Sequence, residues 1–303
     1  MQALIHLAAG IGNVVFATPL LMAIDELGFT VDLRLSADYD ATADLLGGWS
    51  ILRRIFSNGD GNTISLRQYD AIIPAIPPFY WSRFRRLYQG IPNCVTRPPD
   101  HLFYENEQSY YLAFARALGY PAERHPEIRL PIGPSEDSRV SSGTVILAPG
   151  SKTGEMSAKR WPGFQQLAAV LPDVAVIGTA DDLFAADGSQ LVFGAHVRNF
   201  AGRLSLRETA ELISSAGLVI ANDNGLAHVA TAVGTPVIIL FGPTPDRSLG
   251  PLPAHVTVAR CGLPCEPCWF GHRFAQCNRR IDCLRGLGVD QVLSEIQRLS
   301  ASS

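Results

Sequence analysis

The chain is 303 residues long, a length that suits two domains of about 150 residues each. Hydrophobic residues make up 47% and charged residues 17%, the balance of a chain that buries a core rather than of a disordered one. A net charge of −3 without any Lys/Arg-rich run excludes the electrostatic footprint of a nucleic-acid binder, and no apolar run reaches the roughly 18 residues of a membrane-spanning helix.

The opening segment, MQALIHLAAGIGNVVFATPLL, has no basic stretch before its apolar run and is interrupted by Gly10, Gly12 and Asn13. It reads as a strand, a turn and a helix rather than as a signal peptide, so a cytoplasmic protein with reduced cysteines is expected. Strands are predicted over 3–8, 30–35 and 69–75, and helices over 14–27, 39–46, 81–88 and 107–118, the last closed by Gly119. Arg83, Arg85 and Arg86 cluster in the third of these helices and read as a solvated face or as a patch that meets an anionic substrate. Residues 121–142 turn to Pro, Gly, Ser and charge and read as a linker, which divides the chain into domains at 1–138 and 139–303. Beyond the linker, strands over 144–148, 174–178, 218–222 and 236–241 alternate with helices over 161–171, 205–215 and 225–233. Ser205 and Glu208 have capping-box spacing, and Pro162 sits in a first turn that tolerates it. Alternation of this kind in both halves predicts an α/β protein of two Rossmann-like domains with parallel sheets.

The strongest local signal is LVIANDNGLAH over 218–228. An apolar strand ends in Asn222, Asp223 and Asn224, and a helix begins at Gly225. Ligands of open α/β sheets bind at the carboxyl ends of strands, and a helix start offers N–H groups and a positive dipole end to a diphosphate. Simple capping by Asp223 and Asn224 is the alternative; His228, one turn on, adds a second polar group. The segment PGSKTGEMSAKRW over 149–161 also joins a strand to a helix, and Ser151, Thr153, Lys152 and Lys159 suit phosphate, although the P-loop spacing is absent. Only two of the 25 basic residues are lysine, and both lie in this segment, which marks it as a place for a compact ammonium. Asp181 and Asp182 follow another strand and suit ribose or base, or a helix cap. Thr244, in FGPTP, is a further donor contact. In the first half, Gly10-Ile-Gly-Asn13 lacks the third glycine of the dinucleotide fingerprint, so with Asp32 it gives only a weak case for an NAD-dependent oxidoreductase.

Five of the six cysteines, Cys261, Cys265, Cys268, Cys277 and Cys283, lie within 23 residues. The C-x2-C knuckle followed by two further thiols fits a structural tetrahedral site for zinc or iron; packing as small hydrophobes is the alternative.

NDNGLAHVATAVGTPVIILFGPT (222–244), AKRWP (158–162), GIGNVVFATPL (10–20) and CxPC (265–268) together resemble glycosyltransferase family 9, the heptosyltransferases that use ADP-heptose to build the lipopolysaccharide inner core. The likeness spans nearly the whole chain and is sharpest over 145–284. It implies the GT-B architecture, two Rossmann-like domains around a cleft, with inverting transfer and no metal required for catalysis. The implied donor is ADP-heptose or another nucleotide sugar. The implied acceptor is a glycan, a lipid-linked group or a protein, with no nucleic acid and at most peripheral membrane contact. Ser151 and Lys159 match the family's donor-phosphate loop. Asp223, Asn224, Gly225 and His228 match its D-[ST]-G-x-x-H segment, with Asn224 in place of the hydroxyl residue, and Thr244 matches the end of LFGPT. Some relatives hold iron with similar cysteines. Asn13 stands where the family carries an Asp thought to be the general base, and a neutral amide cannot accept a proton at pH 7. Asp38, Asp100, His101 and Glu105 are loop candidates to replace it, and a dissociative reaction would need little base. A nucleotide-sugar-binding protein without transfer and a nonhydrolysing sugar-nucleotide epimerase are the alternative functions.

Overall fold

Short apolar runs with few polar interruptions fold here as parallel strands covered on both faces, the pattern expected when helices pack on either side of a sheet. The computed structural model describes residues 1–8, 10–36, 41–57, 64–152, 159–268, 277 and 281–302. The chain forms two units, Met1–Pro131 with Arg247–Pro251, and Ile132–Asp246 with Leu252–Ser303. In the first, β1 (Gln2–Leu7), β2 (Thr30–Leu35), β3 (Leu52–Phe56) and β4 (Ala71–Ile73) make a sheet of order β3-β2-β1-β4. In the second, β5 (Val145–Ala148), β6 (Val174–Val176), β7 (Arg198–Asn199), β8 (Leu218–Asn222), β9 (Val237–Leu240) and β10 (Val256–Ala259) are ordered β10-β9-β8-β5-β6-β7. Every strand pairing of both sheets is parallel among the described residues. No helix among them is long and apolar enough to cross a membrane.

The helix expected over 14–27 is two helices, Ile11–Phe16 and Thr18–Glu26, that meet at Ala17. Pro19 has no N–H and its ring collides with the preceding turn, so it begins the second helix instead of continuing the first. The helix expected over 39–46 is observed at Ala43–Leu46, its start falling outside the described residues. The one expected over 81–88 is Pro78–Phe84 followed by a tighter turn, Arg85–Tyr88. Within the predicted linker, Ile128, Leu130, Ile132 and Val140 are buried, and the Arg129 amide donates to Thr18 Oγ1 at 3.2 Å.

In the second unit Trp161 is the largest fully buried side chain. It meets Phe164 edge to face with centroids 5.1 Å apart, and its Nε1 donates to the Leu287 carbonyl at 2.8 Å. That bond gives the indole its one required partner, so burial brings the apolar gain without an orphaned donor. The helix Gly225–Val233 ends at Gly234, whose φ of +81° is the left-handed conformation a glycine C-cap adopts without strain.

Asp32 does not serve a cofactor ribose. It lies within β2, not at its carboxyl end, and is fully buried. Arg53 Nε and Nη2 donate to its two oxygens at 2.8 and 2.6 Å, and Tyr69 donates to Oδ2 at 2.7 Å. The oxidoreductase reading loses its acidic residue. Burial acts to raise the Asp32 carboxyl, but the Arg53 and Tyr69 hydrogen bonds outweigh it and hold the group below its ordinary range. A depressed folded-state value means the stabilisation is present above the unfolded carboxylate range, around pH 4, and is lost as pH falls through the folded value. Asp32→Ala, which strands Arg53 and Tyr69, is expected to cost about 3 kcal/mol in urea denaturation at pH 7. The gap to wild type should narrow as the pH drops below about 4.

Candidate functional site at the tips of β5 and β8

From β5 the second sheet grows outward through β6 and β7, after which the chain crosses to β8 on the other flank of β5. The loops leaving β5 and β8 therefore part in opposite directions, and the crevice at such a switch point is where open parallel sheets take their ligands. Residues 149–161 and 222–228 occupy those two loops.

Two polar side chains knit these loops together, and Arg160 ties the first loop to the segment after β6. Asn222, fully buried at the end of β8, donates through Nδ2 to the carbonyls of Pro149 (2.5 Å) and Gly150 (3.3 Å) and accepts from the Trp161 amide at 3.0 Å. Asn224 is the N-cap of Gly225–Val233. Its Oδ1 accepts from the Leu226 and Ala227 amides at 2.9 and 3.0 Å, and its Nδ2 donates to Gly150 O at 2.8 Å. Capping thus occupies two helix-start donors and leaves the Gly225 amide, among the described residues, outside the cap. Arg160, 7% exposed, donates to the carbonyls of Asp181 (2.9 Å) and Phe184 (2.7 Å) and, at 3.4 Å, to Ser151 Oγ. Gly150 must be glycine here, because a Cβ would stand 2.2 Å from the carboxyl carbon of Asp182.

Asp223 is the electrostatic centre. Lys159 Nζ donates to its Oδ2 at 2.7 Å and to its backbone carbonyl at 2.8 Å, and His228 Nε2 lies 3.4 Å from Oδ1. The three side chains are 12%, 11% and 7% exposed. Burial acts to raise the Asp223 carboxyl, yet the Lys159 ammonium and the His228 ring overcome it and hold the group well below the usual carboxylate range. The pair is therefore a true ion pair. An ammonium has three donors, and two of them point at Asp223, which fixes the cation in place.

The remaining predicted residues are distributed as follows. Ser151 is buried, bonded to Arg160. Asp181 has an exposed side chain and contributes its carbonyl to Arg160, while Asp182 caps the turn by accepting from the Thr179 amide at 2.8 Å. Thr244 is buried beyond β9, its carbonyl accepting from Arg260 at 2.8 Å and its hydroxyl without a partner among the described residues. Thr153 lies outside the described residues, as does Asp38.

In the first unit, Asn13 follows β1 and donates through Nδ2 to Glu107 Oε1. Glu107 opens the helix Glu107–Ala117 and is 8% exposed. Asp100, His101 and Glu105 sit on the short helix Asp100–Glu105, where Asp100 is paired with Arg97 at 3.2 Å. Glu107, Arg160 and Asn222 escape sequence reasoning. Each reads as an ordinary helix-start acid, surface cation or strand-end polar residue until its distant partner is known.

The expected metal centre is not supported among the described residues. Cys283 is buried and Cys261, Cys265, Cys268 and Cys277 are half-buried, but no group of three or more metal-binding side chains converges among the described residues, and no disulfide forms there. Cys283 Sγ lies 3.1 Å from where a Cβ on Gly242 would be, and Cys261 Sγ 2.7 Å from one on Gly286. They fill glycine-lined gaps as small apolar groups. Burial, with the neighbouring Glu266, Cys268 and Cys277 adding to it, pushes the Cys283 thiol up to about 12, and burial also raises Cys261.

Comparison with known proteins identifies the family. The family model of glycosyltransferase family 9 (heptosyltransferase) matches residues 94–276. Lipooligosaccharide heptosyltransferase 2 of Haemophilus influenzae is 35% identical over 126 residues, 38% of this chain and 36% of that protein. The matched part thus spans about a third of the length of the curated relatives. The solved structure of E. coli ADP-heptose lps heptosyltransferase II aligns over 100% of both chains with a TM-score of 0.75 and 21% identity. E. coli heptosyltransferase WaaC with ADP-2-deoxy-2-fluoro heptose aligns over 98% of this chain and 99% of that one, with a TM-score of 0.64 and 16% identity. These likenesses establish the GT-B fold, and the family match, which covers more than half of the residues, makes this chain a member of glycosyltransferase family 9.

Proposed function

We propose that the chain is an inverting glycosyltransferase that moves a sugar, heptose by its family, from a nucleotide diphosphate sugar to a glycan or lipopolysaccharide-core acceptor. The observation that carries the reading is the buried Lys159–Asp223–His228 constellation beside the helix start at Gly225. Its neighbour in fold, a heptosyltransferase with an ADP-heptose analogue, supports ADP-heptose as the donor.

Cleavage of the sugar–phosphate bond puts negative charge on the leaving diphosphate. Lys159, already locked by Asp223 and largely out of water, meets that charge without reorganisation, a contribution of roughly 3 kcal/mol for one well-placed donor. The Gly225 amide and the helix dipole add to it. His228 sets the far side of Asp223 and so keeps the carboxylate turned toward Lys159. Ser151 and Thr244 line the same sheet edge as further donor contacts, with Asp181 at the β6 side for ribose or base. No residue in this scheme needs a catalytic metal.

The acceptor hydroxyl must lose a proton. Asn13 cannot take it, whereas Glu107, the carboxylate that Asn13 holds, can. A binding protein without transfer is the second reading, favoured by Asn13; turnover of ADP-heptose with any acceptor would exclude it.

Lys159→Ala should reduce kcat/KM for the donor by about a hundredfold, because it removes the cation and leaves Asp223 buried without its ammonium partner. Circular dichroism of the variant checks that the fold persists, and an unaltered kcat/KM would remove Lys159 from the scheme. Glu107→Gln, which preserves size, should lower kcat by about 10²-fold or more with donor affinity unchanged, read by steady-state kinetics and calorimetry. A rise in transfer on Asn13→Asp would point instead to a base missing from position 13.

A further inference from the structure

The first unit contains a pocket of about 530 Å³ lined by ten residues, among them Pro74, Trp81, Arg85, Tyr88, Cys94 and Arg97. Its volume lies within the range of about 300–1,000 Å³ typical of small-molecule sites. It begins where β4 ends, since Pro74 directly follows Ile73, and β4 lies across β1 from β2 and β3. The pocket lies on the outer flank of β4, away from β1, where Ile72 bridges to Cys94.

The pocket's chemistry is one-sided. Two guanidinium groups line it, and no described lining residue is acidic. Arg97 is fixed before any ligand arrives. It stacks 4.3 Å over the Trp81 ring and donates to Tyr110 at 2.9 Å, and Trp81 is in turn stacked on Tyr88 with the planes 13° apart. Its one carboxylate partner, Asp100, is 59% exposed, so that pair neutralises it weakly. The Arg97 Nε is buried and makes no hydrogen bond among the described residues. Arg85, at the rim, is exposed and pairs with no carboxylate among them. A guanidinium held in place in advance, in a lining that includes a second arginine and no acid, matches an anion with several acceptor oxygens and close to two charges.

We propose that this pocket binds a phosphate monoester on a sugar-sized molecule, gripped by Arg85 and Arg97. All of its lining residues belong to the first unit. Its test needs no turnover, so it stands or falls apart from the transfer reading. Cys94 provides a local reporter, because it is one of the lining residues and is half-buried.

The experiment is maleimide labelling of the whole protein in phosphate-free buffer, with the rate at Cys94 followed by peptide mass spectrometry. Glucose 6-phosphate should slow labelling of Cys94 at least fivefold relative to glucose. Arg85→Ala should weaken that protection at least tenfold in the concentration required, with the unfolding midpoint unmoved. Arg97→Lys, which retains charge but loses the fork, should weaken it as well. Vesicles containing phosphatidic acid form a second arm: protection by them alone, and not by phosphatidylcholine vesicles, would support the same anion chemistry presented on a lipid. Absence of protection in both arms, equal protection by glucuronate, or undiminished protection in Arg85→Ala would overturn the proposal.

Discussion

A carboxylate at the end of β8, removed from water and still ionised, sets the terms for the second unit. Asp223 is tolerable there only because Lys159 and His228 surround it. The loop after β5, which leads to Lys159, is held at its start by Asn222 and Asn224 bonding to the carbonyls of Pro149 and Gly150. Charge, loop path and helix start are therefore one linked arrangement. Its position follows from topology, since the crossover from β7 to β8 makes the loops on β5 and β8 diverge.

Polar groups in this region are bonded mostly to backbone. Asn222 and Asn224 use both ends of their amides, and Arg160 ties the Ser151 loop to the turn that runs from Asp181 to Phe184. Such side chain to backbone bonds restrain loops that have little apolar surface to bury, and they restrain them before a ligand binds. A site built to stabilise developing charge benefits from that rigidity, because no orientation has to be bought at the moment of reaction. The first unit follows the same plan on a smaller scale, with Asn13 held by Glu107 after β1 and Arg97 held by Tyr110 and Trp81 near the end of β4.

What the sequence reveals depends on how local the cause is. The apolar run LVIAN, the Asn-Gly boundary and Gly234 define β8 and its helix by short-range chemistry, and they are observed at Leu218–Asn222 and Gly225–Val233. The edge strands β3 and β10 are not evident: LRRIF carries two exposed arginines, and VTVA is short and half-buried. The C-terminal helix Val289–Ser302, by contrast, places Val292, Leu293, Ile296 and Leu299 at helical spacing, so its pattern is readable although no element is predicted there. Asp32 resembles a ribose-binding acid until Arg53 and Tyr69 are folded onto it. Cysteine spacing suggests a metal, yet spacing does not determine whether thiols converge or fill gaps. In the candidate site, strand-tip residues are legible as a class. Which of them pair, Lys159 with Asp223 and Asn13 with Glu107, is decided by contacts 64 and 94 residues apart.

The central claim is that the tips of β5 and β8 grip a pyrophosphate. Calorimetric titration of the wild-type protein with ADP and with AMP isolates the second phosphate, since the two ligands share base, ribose and first phosphate. Contact of Lys159 with that second phosphate predicts that ADP binds at least about tenfold more tightly, the effect of one charge-assisted hydrogen bond. Equal affinity for ADP and AMP would contradict the account.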